Sequence, residues 1–244
     1  MKSESKLIVI TGATRGLGLS ISKNLLSSNY KIVGISRTES KEFKKLRHSA
    51  SDRVHFVEAD LRATGSICDL CKSIQRKFGR LYGLVNNAAI GVDGVLPTMH
   101  ESDIDKMIRI NLHAPLLLCK YLSRGMLINR SGRIINVSSI IASTGFSGLS
   151  VYGATKSSLI GFSKSLAREL GKANVTVNCV APGYMDTDMT NGLEDEKLES
   201  IRRRSPLQRF STTDEVAKSI KFLLSNEASA VTGTILTVDA GSTA

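Results

Sequence analysis

Seven short apolar runs rich in valine and isoleucine recur along the chain, separated by longer segments with helical periodicity. Continuous apolar runs of this length are typical of strands buried on both faces, and helices are the usual connections between parallel strands. The pattern predicts a single doubly wound α/β domain of the Rossmann type over residues 1–244, with a seven-stranded parallel sheet and helices on both faces. The predicted strands occupy residues 6–11, 31–36, 53–58, 81–86, 133–138, 175–180 and 234–239.

Six segments between the strands are predicted to be helices. A stretch at about 184–210 contains no strand and follows the carboxyl end of the sixth strand, which is the edge of the sheet where ligands bind. It is therefore a candidate substrate lid. The helices are predicted at 17–28, 38–48, 64–78, 99–127, 151–171 and 213–225, the last with Thr212 or Thr213 as a possible N-cap.

The formal net charge of +11 at pH 7 indicates anionic partners, such as a phosphorylated cofactor, an acidic protein or nucleic acid. The basic residues are dispersed, and the two densest clusters, at 41–48 and 202–204, fit solvated helix faces. No zinc-finger or aromatic RNA-binding motif accompanies them, so no nucleic-acid partner is predicted.

Neither a secretory signal nor a membrane-spanning helix is predicted, because only a short apolar run precedes the first glycines. A cytoplasmic protein is expected, although a transit peptide removed from the natural chain is an open alternative. The cysteines are too few and too scattered for a disulfide framework, and the C-x-x-C pair lacks the further ligands of a metal site. They are Cys68, Cys71, Cys119 and Cys179.

A glycine-rich turn follows the first predicted strand and leads into a helix, in the sequence TGATRGLG with Gly12, Gly16 and Gly18. Glycines at this place let the chain turn tightly and bring backbone N–H groups of a helix N-terminus against a pyrophosphate. The spacing is G-x-x-x-G-x-G, a variant of the usual dinucleotide fingerprint. The turn therefore predicts a dinucleotide site.

The end of the second strand predicts which dinucleotide binds. NAD-binding folds usually place an acidic residue there for the ribose 2′-hydroxyl, whereas this chain has Ser36 and Arg37, with Arg15 in the glycine turn. Two guanidinium groups and a hydroxyl suit a 2′-phosphate, so NADP(H) is the predicted cofactor.

Several spaced motifs together resemble those of the short-chain dehydrogenase/reductase family. Within that family, the segments VAPGYMDTDM and PLQRF, and the C-terminal region, are most similar to 3-oxoacyl-[acyl-carrier-protein] reductases. The motifs, in chain order, are TGATRGLG, ADL at 59–61, NNAA at 86–89, NL at 111–112, INVSS at 135–139, YGATK at 152–156, APG at 181–183 and TVDAG.

The resemblance implies a catalytic tetrad of Asn111, Ser139, Tyr152 and Lys156. Ser139 is expected to polarise the substrate carbonyl, Tyr152 to transfer the proton, and Asn111 to anchor a water in a proton relay. Because residues four apart share one face of a helix, the Lys156 ammonium is expected to lower the Tyr152 pKa, helped by the positive ring of the oxidised cofactor. A shift from about 10 towards 7 represents roughly 4 kcal/mol of stabilisation.

The resemblance also implies the cofactor contacts. Asp60 and Leu61 are expected at the adenine, Asn86, Asn87 and Ala88 beside the ribose, and Pro182, Gly183 and Thr187 at the nicotinamide. One departure is Ala89, where the family usually has glycine. The remaining contacts are assigned to Gly12, Thr14, Arg15, Gly16, Leu17, Gly18, Ser36, Arg37, Tyr152 and Lys156.

The expected activity is NADPH-dependent reduction of a 3-oxoacyl thioester, presented by acyl carrier protein, by a homotetramer. Of the two basic positions with which such reductases dock the carrier, Arg130 matches the first, whereas the second holds Ala173 next to Lys172. Two alternatives stay open. One is a relative acting on a small alcohol, sugar, steroid or xenobiotic ketone, and the other is a non-catalytic protein that binds nucleic acid.

Overall fold

All seven predicted strands form one parallel sheet. The computed structural model describes residues 5–185, 199 and 202–244. The strand order is β3-β2-β1-β4-β5-β6-β7, and every neighbouring pair is parallel, so the predicted fold class is confirmed. The strands are β1 Leu7–Thr11, β2 Lys31–Ser36, β3 Val54–Glu58, β4 Leu81–Asn86, β5 Gly132–Val137, β6 Val175–Pro182 and β7 Ile235–Val238.

Helices lie in all six predicted segments, with ends shifted by a few residues, and the short helix α6 was not predicted. Thr212, one of the two predicted caps, caps the last helix: its hydroxyl accepts from the Glu215 amide, and the Glu215 carboxylate accepts from the Thr212 amide. The helices are α1 Gly16–Leu26, α2 Lys41–Ser49, α3 Ile67–Phe78, α4 Glu101–Ile108, α5 Ala114–Asn129, α6 Ile141–Thr144, α7 Ser150–Leu170 and α8 Thr213–Leu224.

The single helix predicted over 99–127 is wrong in one respect. The structure has α4 and α5 there, joined by a π-helical turn, Arg109–His113. Such a turn adds one residue to the helical repeat and changes which side chains face the neighbouring elements. Apolar periodicity did not reveal it, because α4 and α5 each keep an apolar face.

The sheet is covered on both faces, and alternate residues of its strands enter two separate cores. In β1, Leu7 and Val9 pack with α3, α5 and α7, whereas Ile8 and Ile10 pack with α1, α2 and α8. This two-sided burial explains why the strands read as continuous apolar runs rather than as alternating patterns.

The strand order reverses at β1, which pairs with β2 on one side and β4 on the other. The connections leaving β1 and β4 therefore diverge, and a crevice opens at their carboxyl ends. The glycine-rich turn follows β1, and Asn87 and Ala88 follow β4. The fold thus brings the predicted binding residues to one edge of the sheet.

Only part of the predicted lid at 184–210 falls within the described residues, and Thr187 lies outside them. The end of the segment and the residue after it are bonded to the C-terminal strand region. The Ser205 hydroxyl donates to the Ala240 carbonyl at 2.5 Å, and the Ser211 hydroxyl donates to the Val238 carbonyl at 3.1 Å. No helix among the described residues is both long and apolar enough to cross a membrane.

Gly34 in the middle of β2 predicts a measurable packing cost. A methyl group there would lie 2.5 Å from the Phe43 ring and 2.8 Å from the Ala13 side chain, which belongs to the glycine-rich turn. Because both neighbours are fully buried, we expect Gly34→Ala to lower the free energy of unfolding by about 1–3 kcal/mol, measured by urea denaturation. Gly65→Ala is the matched control, since nothing lies within 4 Å of the added methyl group. Equal effects of the two substitutions would contradict this account of the packing.

Candidate active site

A cleft of about 760 Å³ lies at the carboxyl edge of the sheet. One end, here called the basic end, is lined by Arg15, Ser36, Arg37 and Asp60. The other, here called the hydroxyl end, is lined by Ser139 and Tyr152 together with neighbours from the β6 terminus. The glycine-rich turn lies along the same cleft.

The glycine-rich turn is held tightly against the ends of β2 and β4. Gly12 has φ +64°, a conformation that favours glycine, and its amide donates to the Ile35 carbonyl at 2.8 Å. A methyl group on Gly18 would lie 2.0 Å from the Gly12 carbonyl oxygen. The Asn87 side-chain amide donates to the carbonyls of Thr11 and Gly12 at 2.9 and 3.2 Å. The two glycines therefore permit the close approach of the turn and α1.

The N-terminus of α1 opens towards the cleft. Its N-cap residue, Arg15, makes no side-chain capping hydrogen bond, and the first turn contains no acidic residue. Gly16, Leu17 and Gly18 line the cleft. Unsatisfied N–H groups and the positive end of the helix dipole suit an anionic group, so this donor set fits the diphosphate of a dinucleotide.

The basic end fits a further phosphate. Arg15 and Arg37 are exposed cations, and Ser36 supplies a hydroxyl. Thr14, predicted as a cofactor contact, is buried and does not line the cleft; its hydroxyl donates to the Ser36 hydroxyl at 3.2 Å and so positions that residue.

The loops after β3 and β4 supply the opposite wall. Asp60, Leu61, Asn87 and Ala88 all line the cleft. Asn86, expected beside the ribose, points into the core instead: it is 3% exposed and donates to the Asn136 side-chain oxygen at 2.8 Å. Its amide group therefore joins β4 to β5 rather than facing a ligand.

Ser139, Tyr152 and Lys156 meet at the hydroxyl end. Ser139 follows β5, while Tyr152 and Lys156 lie one turn apart in α7, and all three line the cleft. The Ser139 hydroxyl accepts from the Ile141 amide at 3.2 Å and lies near enough to Tyr152 to influence its pKa. The arrangement places two hydroxyl donors where a substrate oxygen can reach both.

Lys156 is 3% exposed, and its ammonium donates to the Val137 carbonyl at 2.8 Å. Burial lowers the Lys156 pKa to about 8, because the charged form loses its hydration. Its Nζ lies 5.7 Å from the centroid of the Tyr152 ring. The ammonium is therefore near the phenol but is fixed by a backbone carbonyl.

The prediction that Lys156 lowers the Tyr152 pKa is wrong for the protein groups alone. Burial raises the pKa of Tyr152 above its usual value, and the nearby Ser139 hydroxyl only partly opposes this. Because desolvation is the largest effect, the phenol keeps its proton at neutral pH.

Asn111 lies in the π-helical turn and is 1% exposed. Its side-chain oxygen accepts from the Ile90 amide at 2.9 Å, and its side-chain nitrogen donates to the Ile90 carbonyl at 2.8 Å and to the Thr155 hydroxyl at 3.1 Å. It does not line the cleft. It joins the loop after β4 to α7, next to Lys156.

Two supporting hydroxyl groups were not anticipated from the sequence. Thr11 accepts from the amides of Asn87 and Ala88 at 3.0 and 2.9 Å, and Ser138 donates to the Lys156 carbonyl at 2.9 Å. Both residues are buried. The only sequence signal is that each polar residue ends an otherwise apolar run.

Comparisons with known proteins agree with this site. A family profile described as enoyl-(acyl carrier protein) reductase matches residues 12–243. Carbonyl reductase family member 4 of Xenopus tropicalis is 39% identical over 97% of this chain and 98% of its own length. 3-Oxoacyl-[acyl-carrier-protein] reductase FabG of Salmonella typhimurium is 36% identical over 99% of this chain and 98% of its own length.

A solved structure of ElxO with NADP bound superposes with a TM-score of 0.89, at 32% identity, covering 98% of this chain and 99% of that one. The matches span the glycine-rich turn, the Ser139–Tyr152–Lys156 group and the C-terminal strand in one alignment. With a family model that matches residues 12–243, the same fold and near-complete coverage, the chain belongs to the short-chain dehydrogenase/reductase family of oxidoreductases.

Proposed function

We propose that the protein reduces the ketone of a 3-oxoacyl thioester to the 3-hydroxyacyl thioester with NADPH. The observation that carries the proposal is the continuity of the cleft, which runs from Arg15 and Arg37 at its basic end to Ser139 and Tyr152 at its hydroxyl end. One extended dinucleotide fits such a cleft, with its phosphates at the cations and its reactive ring near the hydroxyl groups.

The choice of NADPH is supported by the residues after β2. Ser36 and Arg37 stand where an acidic residue would select NADH, and Arg15 faces the same end of the cleft. ElxO, a structural relative at 32% identity, binds NADP.

The chain's own residues account for the proton chemistry. When bound, a reduced nicotinamide supplies a hydride to the carbonyl carbon. The Ser139 hydroxyl hydrogen-bonds the carbonyl oxygen, and the protonated Tyr152 phenol donates its proton as negative charge develops there. The resulting phenolate is stabilised by the buried Lys156 ammonium nearby.

Asn111 acts as a positioning residue in this proposal. Its bonds to the Ile90 backbone and to Thr155 fix the start of α7 relative to the loop after β4. Tyr152 and Lys156 lie on that first part of α7. The π-helical turn is what aims the amide group at both partners.

The thioester substrate is supported by the FabG relative, and the basic surface offers a docking place for an acidic carrier protein. Arg130 ends α5 and donates to the Lys172 carbonyl at 2.8 Å, so the two basic residues are adjacent. A second candidate function, reduction of small carbonyl compounds, is favoured by the carbonyl reductase relative, which is 39% identical.

Tyr152→Phe removes the proposed proton donor while keeping the ring. We expect kcat/KM for ketone reduction to fall by about 10²–10⁴-fold, because the proton must then come from water, and the Kd for NADPH to stay nearly unchanged. Reduction is followed by NADPH absorbance and binding by NADPH fluorescence. Tyr121→Phe, on α5 against the core, is the matched control. A Tyr152→Phe enzyme with half the normal rate would refute the assignment.

The Lys156 pKa of about 8 predicts a pH dependence of reduction. Below pH 8 the ammonium is charged and can stabilise the phenolate, whereas above pH 8 it loses its proton, so kcat should be constant below about 8 and fall above it. The fall approaches about tenfold per pH unit. The raised Tyr152 pKa means that the phenol itself does not titrate in this range.

The measurement is kcat from pH 6 to 9.5 with saturating NADPH and ketone. Lys156→Gln, which cannot titrate, serves as the control, and its residual rate should lack the inflection. A wild-type kcat that stays constant across the whole range would contradict the proposed role of the ammonium.

The substrate and cofactor are tested together by comparing rates on an acetoacetyl thioester with NADPH and with NADH. We expect kcat/KM to be at least about tenfold higher with NADPH, which corresponds to ~1.4 kcal/mol of transition-state binding. Small ketones are assayed in parallel. Higher kcat/KM for small ketones than for the thioester would favour the carbonyl reductase function instead.

A salt titration separates carrier docking from simple thioester recognition. Added salt should raise the KM for acetoacetyl carrier protein much more than the KM for a small thioester, since only the former uses charge complementarity. Equal sensitivity of the two substrates would argue against docking on the basic surface.

A further inference from the structure

Arg62 forms an unusually complete ion pair next to the basic end of the cleft. Its Nε donates to both oxygens of Asp60, at 2.8 and 3.0 Å, and its terminal nitrogen donates to one of the same oxygens. The Arg62 backbone amide also donates to Asp60 at 2.9 Å, in a turn of the Asx type. One residue thus holds both oxygens of the carboxylate.

Asp60 is the only carboxylate among the described residues that line the basic end. Arg15 and Arg37 line the same end. The hydrogen bonds from Arg62 hold the pKa of Asp60 below its usual value, and the nearby charge of Arg37 lowers it further. Asp60 is therefore within electrostatic reach of a cation that the proposed function assigns to the 2′-phosphate.

We propose that Arg62 is a positioning residue for cofactor specificity, which neutralises and orients Asp60 so that the basic end accepts the 2′-phosphate of NADPH. This inference rests on the proposed function. Arg62 itself does not line the cleft. Arg62 acts through Asp60, by cancelling the negative charge at the basic end.

The chemistry favours a specificity role over a structural one. Exposed ion pairs contribute little to folding stability, and both partners are partly exposed. A phosphate monoester carries close to two negative charges at neutral pH, whereas NADH has only a hydroxyl at that position. An unpaired Asp60 carboxylate would therefore oppose NADPH much more than NADH.

The prediction concerns two single substitutions with opposite effects. Arg62→Ala leaves the Asp60 carboxylate without its ion-pair partner. It should lower the preference for NADPH, expressed as Kd(NADH)/Kd(NADPH), by about three- to tenfold. Asp60→Asn leaves the Arg62 guanidinium without its ion-pair partner and should raise that ratio by a similar factor. The double variant removes both charges and should return within about twofold of the wild-type ratio.

The measurement is a fluorescence titration of the full-length protein with each reduced cofactor, which requires no turnover. Arg62→Lys keeps a cation and should keep most of the preference. Lys72→Ala is the matched control, because it breaks an exposed ion pair with Asp69 on α3, whose residues do not line the cleft. It should leave the ratio unchanged. Thermal melting of each variant verifies folding.

The outcomes separate this inference from the proposed function. If the wild-type protein binds NADH as tightly as NADPH, the proposed cofactor is wrong. If the wild-type protein prefers NADPH but the two single substitutions fail to move the ratio in opposite directions, the role of Arg62 is overturned while the proposed function stands.

Discussion

The contact between the carboxyl ends of β1 and β4 is the constraint on which the cleft depends. Thr11 accepts from the amides of Asn87 and Ala88, and Asn87 returns two hydrogen bonds to the carbonyls of Thr11 and Gly12. These bonds satisfy backbone groups that leave the sheet where the strand order reverses. The glycine-rich turn and the loop after β4 are therefore fixed relative to each other, and both walls of the cleft depend on them.

The hydroxyl end is built on the other side of the same edge, and its stability comes from buried polar bonds. Lys156 donates to the Val137 carbonyl, and Ser138 donates to the Lys156 carbonyl, so the side chain and backbone of one residue are both tied to the end of β5. A buried ammonium is costly without such partners. The arrangement keeps it close to Tyr152 without letting it reach solvent.

The sequence was sufficient for the fold because its signal is repeated seven times. The inner strands are buried on both faces, whereas the edge strands β3 and β7 are only partly buried. An apolar run marked every strand, and errors in the strands were confined to one or two residues at the ends. The glycine-rich turn and the positions of Ser139, Tyr152 and Lys156 relative to it also followed from motif order. All of them lie at one cleft.

The features that the sequence did not predict depend on which side chains become buried in the folded protein. The π-helical turn at Asn111 leaves the apolar periodicity of α4 and α5 intact, so no pattern marks it. Asn86 and Asn87 are neighbours with the same side chain, yet one bonds within the core and the other lines the cleft, because successive residues at a strand end face opposite directions. Chemical type alone does not distinguish them.

The same limit explains the error over Tyr152. The spacing of the two residues indicates the charge of Lys156 but not the hydration that both groups lose on burial. In this site desolvation is the largest cause of the pKa shift of each group. This balance is compatible with the proposed reduction. A phenol that keeps its proton is already in the form that donates, and an ammonium that remains charged up to about pH 8 stabilises the phenolate formed by that donation.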